Sequence, residues 1–337
     1  MSQKARVLIG FVTAGLVLGA LPLLLEPLEF PRFYLIFLFT LFFWIAQASS
    51  WNILTGYSGY FSFGQGAFYG IGVYTTSVLA VKHGWSFIAA LPLAGILAGL
   101  FAFLLGVVVF RLRRLSGEIF ALTTLAVAFV LASVARLWEV IDGGVGIFVT
   151  GTALPGFLGD LTSAVYWMTL LIGLLTVWVA YLIYQSRLGW GLFAIRDDEA
   201  VAEGLGVPSF RYKMTALVTS SFFAGLMGGV WALQLGFVTV EDVFSLRVPL
   251  FVILMSVLGG MRHWLGPVVG AVIVTTMTDR LNSAGLVDIN QVIVGALLIV
   301  LALAVREGIF MRMKARWLSS ALVFALVFAS MRVLTLT

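Results

Sequence analysis

Cysteine is absent from the 337 residues, which excludes a disulfide framework and a thiolate metal site. Charge is nearly as scarce: only 10% of residues are charged, 15 acids against 20 bases. Histidine occurs twice, as His83 and His263. No HExxH, no GxSxG and no paired carboxylate and histidine set occurs, so hydrolytic and metal chemistry have no carrier in this sequence. A GxxxxGK[ST] phosphate loop is missing as well. If nucleotide drives the protein, another polypeptide binds it.

Apolar residues fill the space left by charge. They make up 61% of the chain, with a mean hydropathy of +1.10, against about 45–50% in soluble domains. A hydrocarbon core of roughly 30 Å takes about 20 helical residues to cross, and backbone polar groups inside it must be satisfied internally. No alternating strand pattern supports a barrel, so the expectation is an all-α, polytopic integral membrane protein. Candidate spans fall at about 7–25, 33–53, 67–81, 86–110, 119–135, 165–184, 214–236, 248–259, 266–281, 290–305 and 317–335. Eleven is the count if every run crosses. The runs 248–259 and 266–281 are short for straight crossings, which keeps ten open and suggests tilted or half-membrane segments. The first run exceeds a signal-peptide core and lacks a small-residue cleavage site, so it reads as a retained helix.

Placing the N-terminus in the cytoplasm and reversing sides at each span puts 14 of the 20 lysines and arginines inside, as the positive-inside bias requires. The net charge of +5 is accounted for by these flanks, and a nucleic-acid partner is not expected. Ionisable groups near the spans, Glu118, Arg136, Asp279 and Arg280, sit at span ends. Ion-coupled carriers usually need buried relays, so their scarcity argues against an ion-coupled secondary transporter. That class and a passive solute channel remain the alternatives to an ATP-driven system.

Glycine and aromatic residues concentrate in LTGYSGYFSFGQGAFYGIGVYTT, Leu54 to Thr76. Each interior glycine costs a helix roughly 1 kcal/mol relative to alanine, so the segment predicts a broken helix followed by a close helix contact. Gly66-x-x-x-Gly70, Gly225-x-x-x-Gly229 and Gly266-x-x-x-Gly270 have the small-residue spacing that lets membrane helices approach. Two readings stand for Asn52, Gly64, Gln65, Gly66, Gly70, Gly266 and Gly270: helix packing, or an unwound segment lining a translocation path. GQGAFYGIGVYTT also echoes LGPVVGAVIVTTMT, Leu265 to Thr278, which suggests an internal repeat.

The densest acidic run is AIRDDEAVAEGLGV, Ala194 to Val207, with Asp197, Asp198, Glu199 and Glu203 inside seven residues. It lies in the longest loop expected on the inner face, 187–213. Asp197 or Asp198 can cap a helix whose first turn carries Glu199, and Gly204, Gly206 and Pro208 end it. Ile195, Ala202 and Leu205 form an apolar edge. About two turns of helix are marginal alone in water, so this one should rest on the membrane domain or on a partner.

The order of these motifs resembles the permease subunits of high-affinity branched-chain amino acid ABC importers, of the LivM type. WNILTGYSGYFSFGQGAFYGIGVYTT is similar to the family's glycine and aromatic signature, AIRDDEAVAEGLGV with the following RYK to its coupling loop, SGEIFALTTLA to the segment after its basic loop, and LGGMRHWLGPVVGA to its late glycine motif. The likeness covers about residues 33–310. It implies a type II-like importer permease fold over 1–316, in a bacterial-type inner membrane and surrounded by lipid. The implied partners are a second related permease, two cytoplasmic ATPase subunits that bind ATP and Mg, and an extracytoplasmic solute-binding protein. It further implies that Ile195, Arg196, Asp197, Asp198, Glu199, Ala202, Gly204 and Leu205 belong to a coupling helix, with the apolar edge entering a cleft of the ATPase and the charges fixing its register. Branched-chain amino acids are the implied solutes; urea or short amides and aromatic or carboxylic acids are alternatives within the family. Two departures stand out. The EAA pattern of broader ABC permeases is here Glu199-Ala200-Val201, and 317–337 adds a C-terminal hydrophobic segment, either an extra helix or an interfacial tail.

Overall fold

The computed structural model describes residues 3–25, 32–111, 117–141, 143–149 and 160–285, with 292, 295 and 296. The expected spans 290–305 and 317–335 lie outside these described residues, apart from the isolated positions just given. A helix stands at each of the nine earlier spans. In chain order they are α1 (Gln3–Leu25), α2 (Phe33–Ser58), α3 (Gln65–Ser77, continued by one π-helical turn, Val78–Lys82), α4 (Phe87–Val109), α5 (Gly117–Leu137) and α6 (Leu161–Tyr184). Then come α7 (Arg187–Asp197), α8 (Glu199–Gly204), α9 (Ser209–Leu235), α10 (Val240–Val243), α11 (Arg247–Gly259) and α12 (Gly266–Ser283). Among the described residues six helical stretches are long and apolar enough to cross a membrane, Val240–Gly259 counting as one. The protein is an all-α, multi-pass membrane protein.

Helix ends follow local chemistry. Gly59 closes α2 in the left-handed region, at φ +77°, with its N–H on the Thr55 carbonyl; a side chain there would be strained. Asp160 caps α6 by accepting the Ser163 N–H at 3.0 Å, satisfying one of the orphan donors of a helix start. The expected break in the Leu54–Thr76 segment is present, but it falls later than the glycine count suggests. The α2 helix absorbs Gly56 and runs on to Ser58, and the non-helical piece is 59–64.

The α9 helix is the hub, packed on α2, α3, α4 and α6, and 72% of its most apolar window is buried, against 22% for α5. Between apolar helices in lipid, association depends on close packing rather than on expulsion of water. Glycine supplies that closeness: a Cβ on Gly72 would overlap the Gly225 carbonyl, one on Gly225 would meet Ala94 and Ala98, and one on Gly228 would overlap the Tyr69 carbonyl. The expected short helices α11 and α12 pack on each other in the same way, with Gly259, Gly266 and Gly270 facing backbone. The α9 helix has 27 residues and is therefore about 40 Å long, which separates two ends of the molecule. At its C-terminal end β1 (Ile147–Phe148) pairs antiparallel with β2 (Phe237–Val238), Ile147 opposite Val238. At its N-terminal end lie α7, α8 and the 59–64 break.

Candidate functional site

The acidic run folds as two short helices joined at a single residue. Asp198 is extended, with φ −161° and ψ 112°; it ends α7 and caps α8, its carboxylate accepting the Val201 N–H at 3.0 Å. The expected cap therefore exists at Asp198, while Asp197 is the last residue of α7, its carboxylate 3.6 Å from Arg262 in an exposed ion pair. Such pairs contribute little stability, but this one links the run to the connection between α11 and α12. The chain leaves α8 at Gly204, turns at Gly206 with φ +88°, and enters α9 after Pro208.

The two helices are seated by part of the apolar edge that the resemblance assigned to the ATPase cleft. Ile195 is 4% exposed and Ala202 2%, both within the chain's own apolar core beside Leu192 and Leu217. Leu205 is 81% exposed and Val201 58%. The expected apolar edge is thus divided. Ile195 and Ala202 hold α7 and α8 to the membrane domain, and Leu205 stands clear with Val201, four positions earlier and so on the same side.

The charges divide likewise. Arg196 donates from its guanidinium to the Gly56 carbonyl in the last turn of α2, where backbone acceptors lack helical partners. Lys213 donates to one oxygen of Glu199, and Tyr60 donates its hydroxyl to the other. Lys213 Nζ also lies 3.1 Å from Tyr60 Oη, 4.4 Å from the centre of the Tyr60 ring and 5.1 Å from that of Phe110. The ammonium is therefore held by a carboxylate, a hydroxyl and two aromatic faces. Burial first, then the hydrogen bond to Glu199, push the Tyr60 phenol above its ordinary range, so it stays a donor. Asp197, Asp198, Glu203 and Gly204 remain exposed.

Lys213 and Tyr60 are the site residues that sequence reasoning missed. Hydropathy starts this span at 214 and leaves Lys213 in the inner-face loop, but α9 starts at Ser209 and carries Lys213 inside by one turn. Pro208, at the N-cap, is the local signal near this start, since a missing backbone N–H costs nothing in the first turn. Nothing in the sequence joins Tyr60 to Glu199, 139 residues away.

The second group of candidates lies deeper. Gln65 Nε2 is 2.7 Å from Gln47 Oε1, 2.9 Å from Ser50 Oγ and 3.2 Å from the Gln47 carbonyl, while Gln47 Nε2 reaches the Ala224 carbonyl of α9 at 3.3 Å. This buried amide cluster ties α2, α3 and α9 together. Asn52 is buried one turn further along α2, against Gly56. Gly64 precedes α3 with Thr124 and Phe68 close by, Gly66 faces Pro249, and Gly70 lies under the Phe244 ring. Gly266 and Gly270 belong to the separate α11 and α12 contact. Replacing Gln65 by leucine leaves Gln47 Oε1 and Ser50 without that donor, and buried polar groups so orphaned cost about 1–3 kcal/mol. A corresponding fall in thermal stability of the detergent-purified chain is the expected result.

Three comparisons bear on this arrangement. A family model described as the permease component of branched-chain amino acid transport systems matches residues 32–302. The chain is 29% identical over 283 residues to the high-affinity branched-chain amino acid transport system permease protein LivM of Escherichia coli, covering 77% of this chain and 65% of that protein. It is 25% identical over 227 residues to a probable branched-chain amino acid transport permease, LivH, of Methanocaldococcus jannaschii, covering 63% and 69%. A shorter match, 30% over 131 residues, covers 38% of this chain and 36% of the autoinducer 2 import system permease LsrC of Salmonella typhi. The chain therefore spans about 65% of the length of the Escherichia coli relative. No solved structure matches it.

Proposed function

The chain belongs to the branched-chain amino acid transport permease family, and we propose that it is a translocating subunit of an ATP-driven importer in a bacterial-type inner membrane. On this reading the N-terminus and the α7 and α8 helices face the cytoplasm, ATP and Mg are bound by two partner ATPase subunits, and a second permease and an external solute-binding protein complete the complex. The solutes are leucine, isoleucine, valine or related amino acids, the class named for the relatives in Escherichia coli and Methanocaldococcus jannaschii. This chain is a conduit and has no catalytic residue.

The observation that carries the reading is the two-sidedness of α8. Its inner face is committed to the membrane domain through Ala202 and Glu199, while Val201, Leu205, Asp197, Asp198 and Glu203 project outward at one end of the molecule. A small apolar pair rimmed by carboxylates suits docking into a cleft with basic walls. The proposed docking residues are consequently Val201, Leu205, Asp197 and Asp198, with Ile195, Arg196, Glu199 and Ala202 behind them.

The test is the double change Val201→Asp with Leu205→Asp. Truncating or charging a central contact typically costs about 2 kcal/mol or more, so affinity for the ATPase should fall at least about 30-fold while membrane insertion and thermal stability hold. Co-purification of the ATPase and its nucleotide turnover in proteoliposomes measure this. Unchanged association and turnover would remove α8 from the contact.

A further inference from the structure

Lys213 is the one charged side chain among the described residues that is fully buried, at 5% exposure. Its partners come from two other parts of the chain: Glu199 from α8, and Tyr60 from the non-helical piece between α2 and α3. Because Tyr60 also donates to Glu199, the three close a triangle, and no two of these parts can separate without breaking a charge-assisted bond. Phe110 and Phe120 wall it in, stacked on each other at 5.3 Å and each meeting the Tyr60 ring edge-on, at 5.8 and 5.6 Å.

A second tie runs in parallel, from Arg196 of α7 to the Gly56 carbonyl. Beyond Tyr60 the break is gripped along its length. Thr55 Oγ1 donates to the Tyr60 carbonyl at 3.0 Å, Trp51 Nε1 to the Ser62 carbonyl at 2.7 Å, and the Phe63 N–H to Thr124 Oγ1 at 3.0 Å. The next helical residue is Gln65, a member of the buried amide cluster. A displacement of α8 therefore arrives at Tyr60 and has bonded neighbours at each step to the start of α3.

A buried ion pair is a poor way to gain stability, since apolar residues of similar volume usually serve as well or better; its best-attested use is to fix register. A six-residue helix cannot hold its own shape in water and can transmit a push only if its inner face is clamped. We propose that Tyr60, Glu199 and Lys213 form the joint that carries movement of α7 and α8 into the break between α2 and α3. They are positioning residues, and Glu199 serves this chain rather than the ATPase. The inference rests on the docking reading above.

The absence of cysteine allows nitroxide pairs to be introduced without removing native thiols. One pair, at Ala200→Cys and Leu171→Cys, follows α8 from an exposed position outside the proposed docking residues; the other, at Phe61→Cys and Leu171→Cys, follows the break. Both are measured in the complex purified with its partner subunits, without nucleotide and after trapping with ATP and vanadate. In the parent both distances shift on trapping. In Glu199→Leu combined with Lys213→Met, which leaves no buried charge unpaired, the Ala200 pair shifts as in the parent, while the ratio of shifted to unshifted Phe61 pairs falls about tenfold, equivalent to about 1.4 kcal/mol. Tyr60→Phe keeps the ring and removes the donor, and lowers that ratio by a smaller factor.

A purely structural role predicts that the stable double variant moves both pairs as the parent does, and that result overturns the joint. Loss of the Ala200 shift in the double variant, with the ATPase no longer bound, overturns it as well by making Glu199 a docking residue. If trapping leaves the Ala200 pair unmoved in the parent, the docking reading itself fails, and the joint with it.

Discussion

Replacing Lys213 by methionine should destabilise the chain by about 3–5 kcal/mol, the cost typical of removing one member of a buried ion pair. Glu199 would keep its charge while losing its cation, and Tyr60 Oη would lose the donor 3.1 Å away. Few solvent contacts compensate, because the Lys213 side chain is 6% exposed and that of Glu199 28%. Adding Glu199→Leu should recover much of the loss, since no buried charge is then left without a counter-charge and only the Tyr60 hydroxyl loses these two partners, beside Phe110 and Phe120. Thermal unfolding in detergent, followed by tryptophan fluorescence, measures both variants. A single variant as stable as the parent would show that water reaches Glu199 and that the pair is not buried in function.

Gly270→Val should be of similar severity for a different reason. A Cβ at Gly270 would overlap the Met255 carbonyl, and one at Gly259 or Gly266 would overlap backbone across the same contact. Backbone cannot swing aside as a long side chain can. Overpacking costs about 1–3 kcal/mol where the surroundings yield and more where they do not, so the α11 and α12 pair should separate and the yield of monodisperse protein collapse. Gly204→Ala is the matched control: nothing lies within 4 Å of its Cβ position and its φ is ordinary, so the change should be neutral or stabilise by a few tenths of a kcal/mol up to about 1. Equal damage at both positions would mean that glycine content, rather than the α11 and α12 approach, sets the loss.

Helix existence was legible because hydropathy acts locally. Each of the nine spans expected before residue 281 corresponds to a helix, and the two short ones, α11 and α12, are short in the structure. Boundaries were less legible. Glycine propensity placed the end of α2 near residue 53, whereas packing against α6, α9 and α12 carries the helix through Gly56 to Ser58, and only the left-handed Gly59 stops it. At the other site, the resemblance implied that the charges of the acidic run meet a partner. Asp197 and Asp198 are exposed, the first paired with Arg262 and the second capping α8. Glu199 and Arg196 have partners within the chain, a lysine on α9 and a carbonyl of α2.

The sequence by itself determined that this chain is helical and membrane-embedded, where its helices begin and end to within a few residues, and that the acidic run starts a helix capped by aspartate. These properties depend on the transfer energy of consecutive residues and on hydrogen bonds spanning three or four positions. Only the tertiary structure decided which side of α8 belongs to the chain and which is free, and that Tyr60, Glu199 and Lys213 meet. Those contacts join residues 14 and 139 positions apart, and their pairing depends on how α2, α8 and α9 pack, a property that no window of sequence contains.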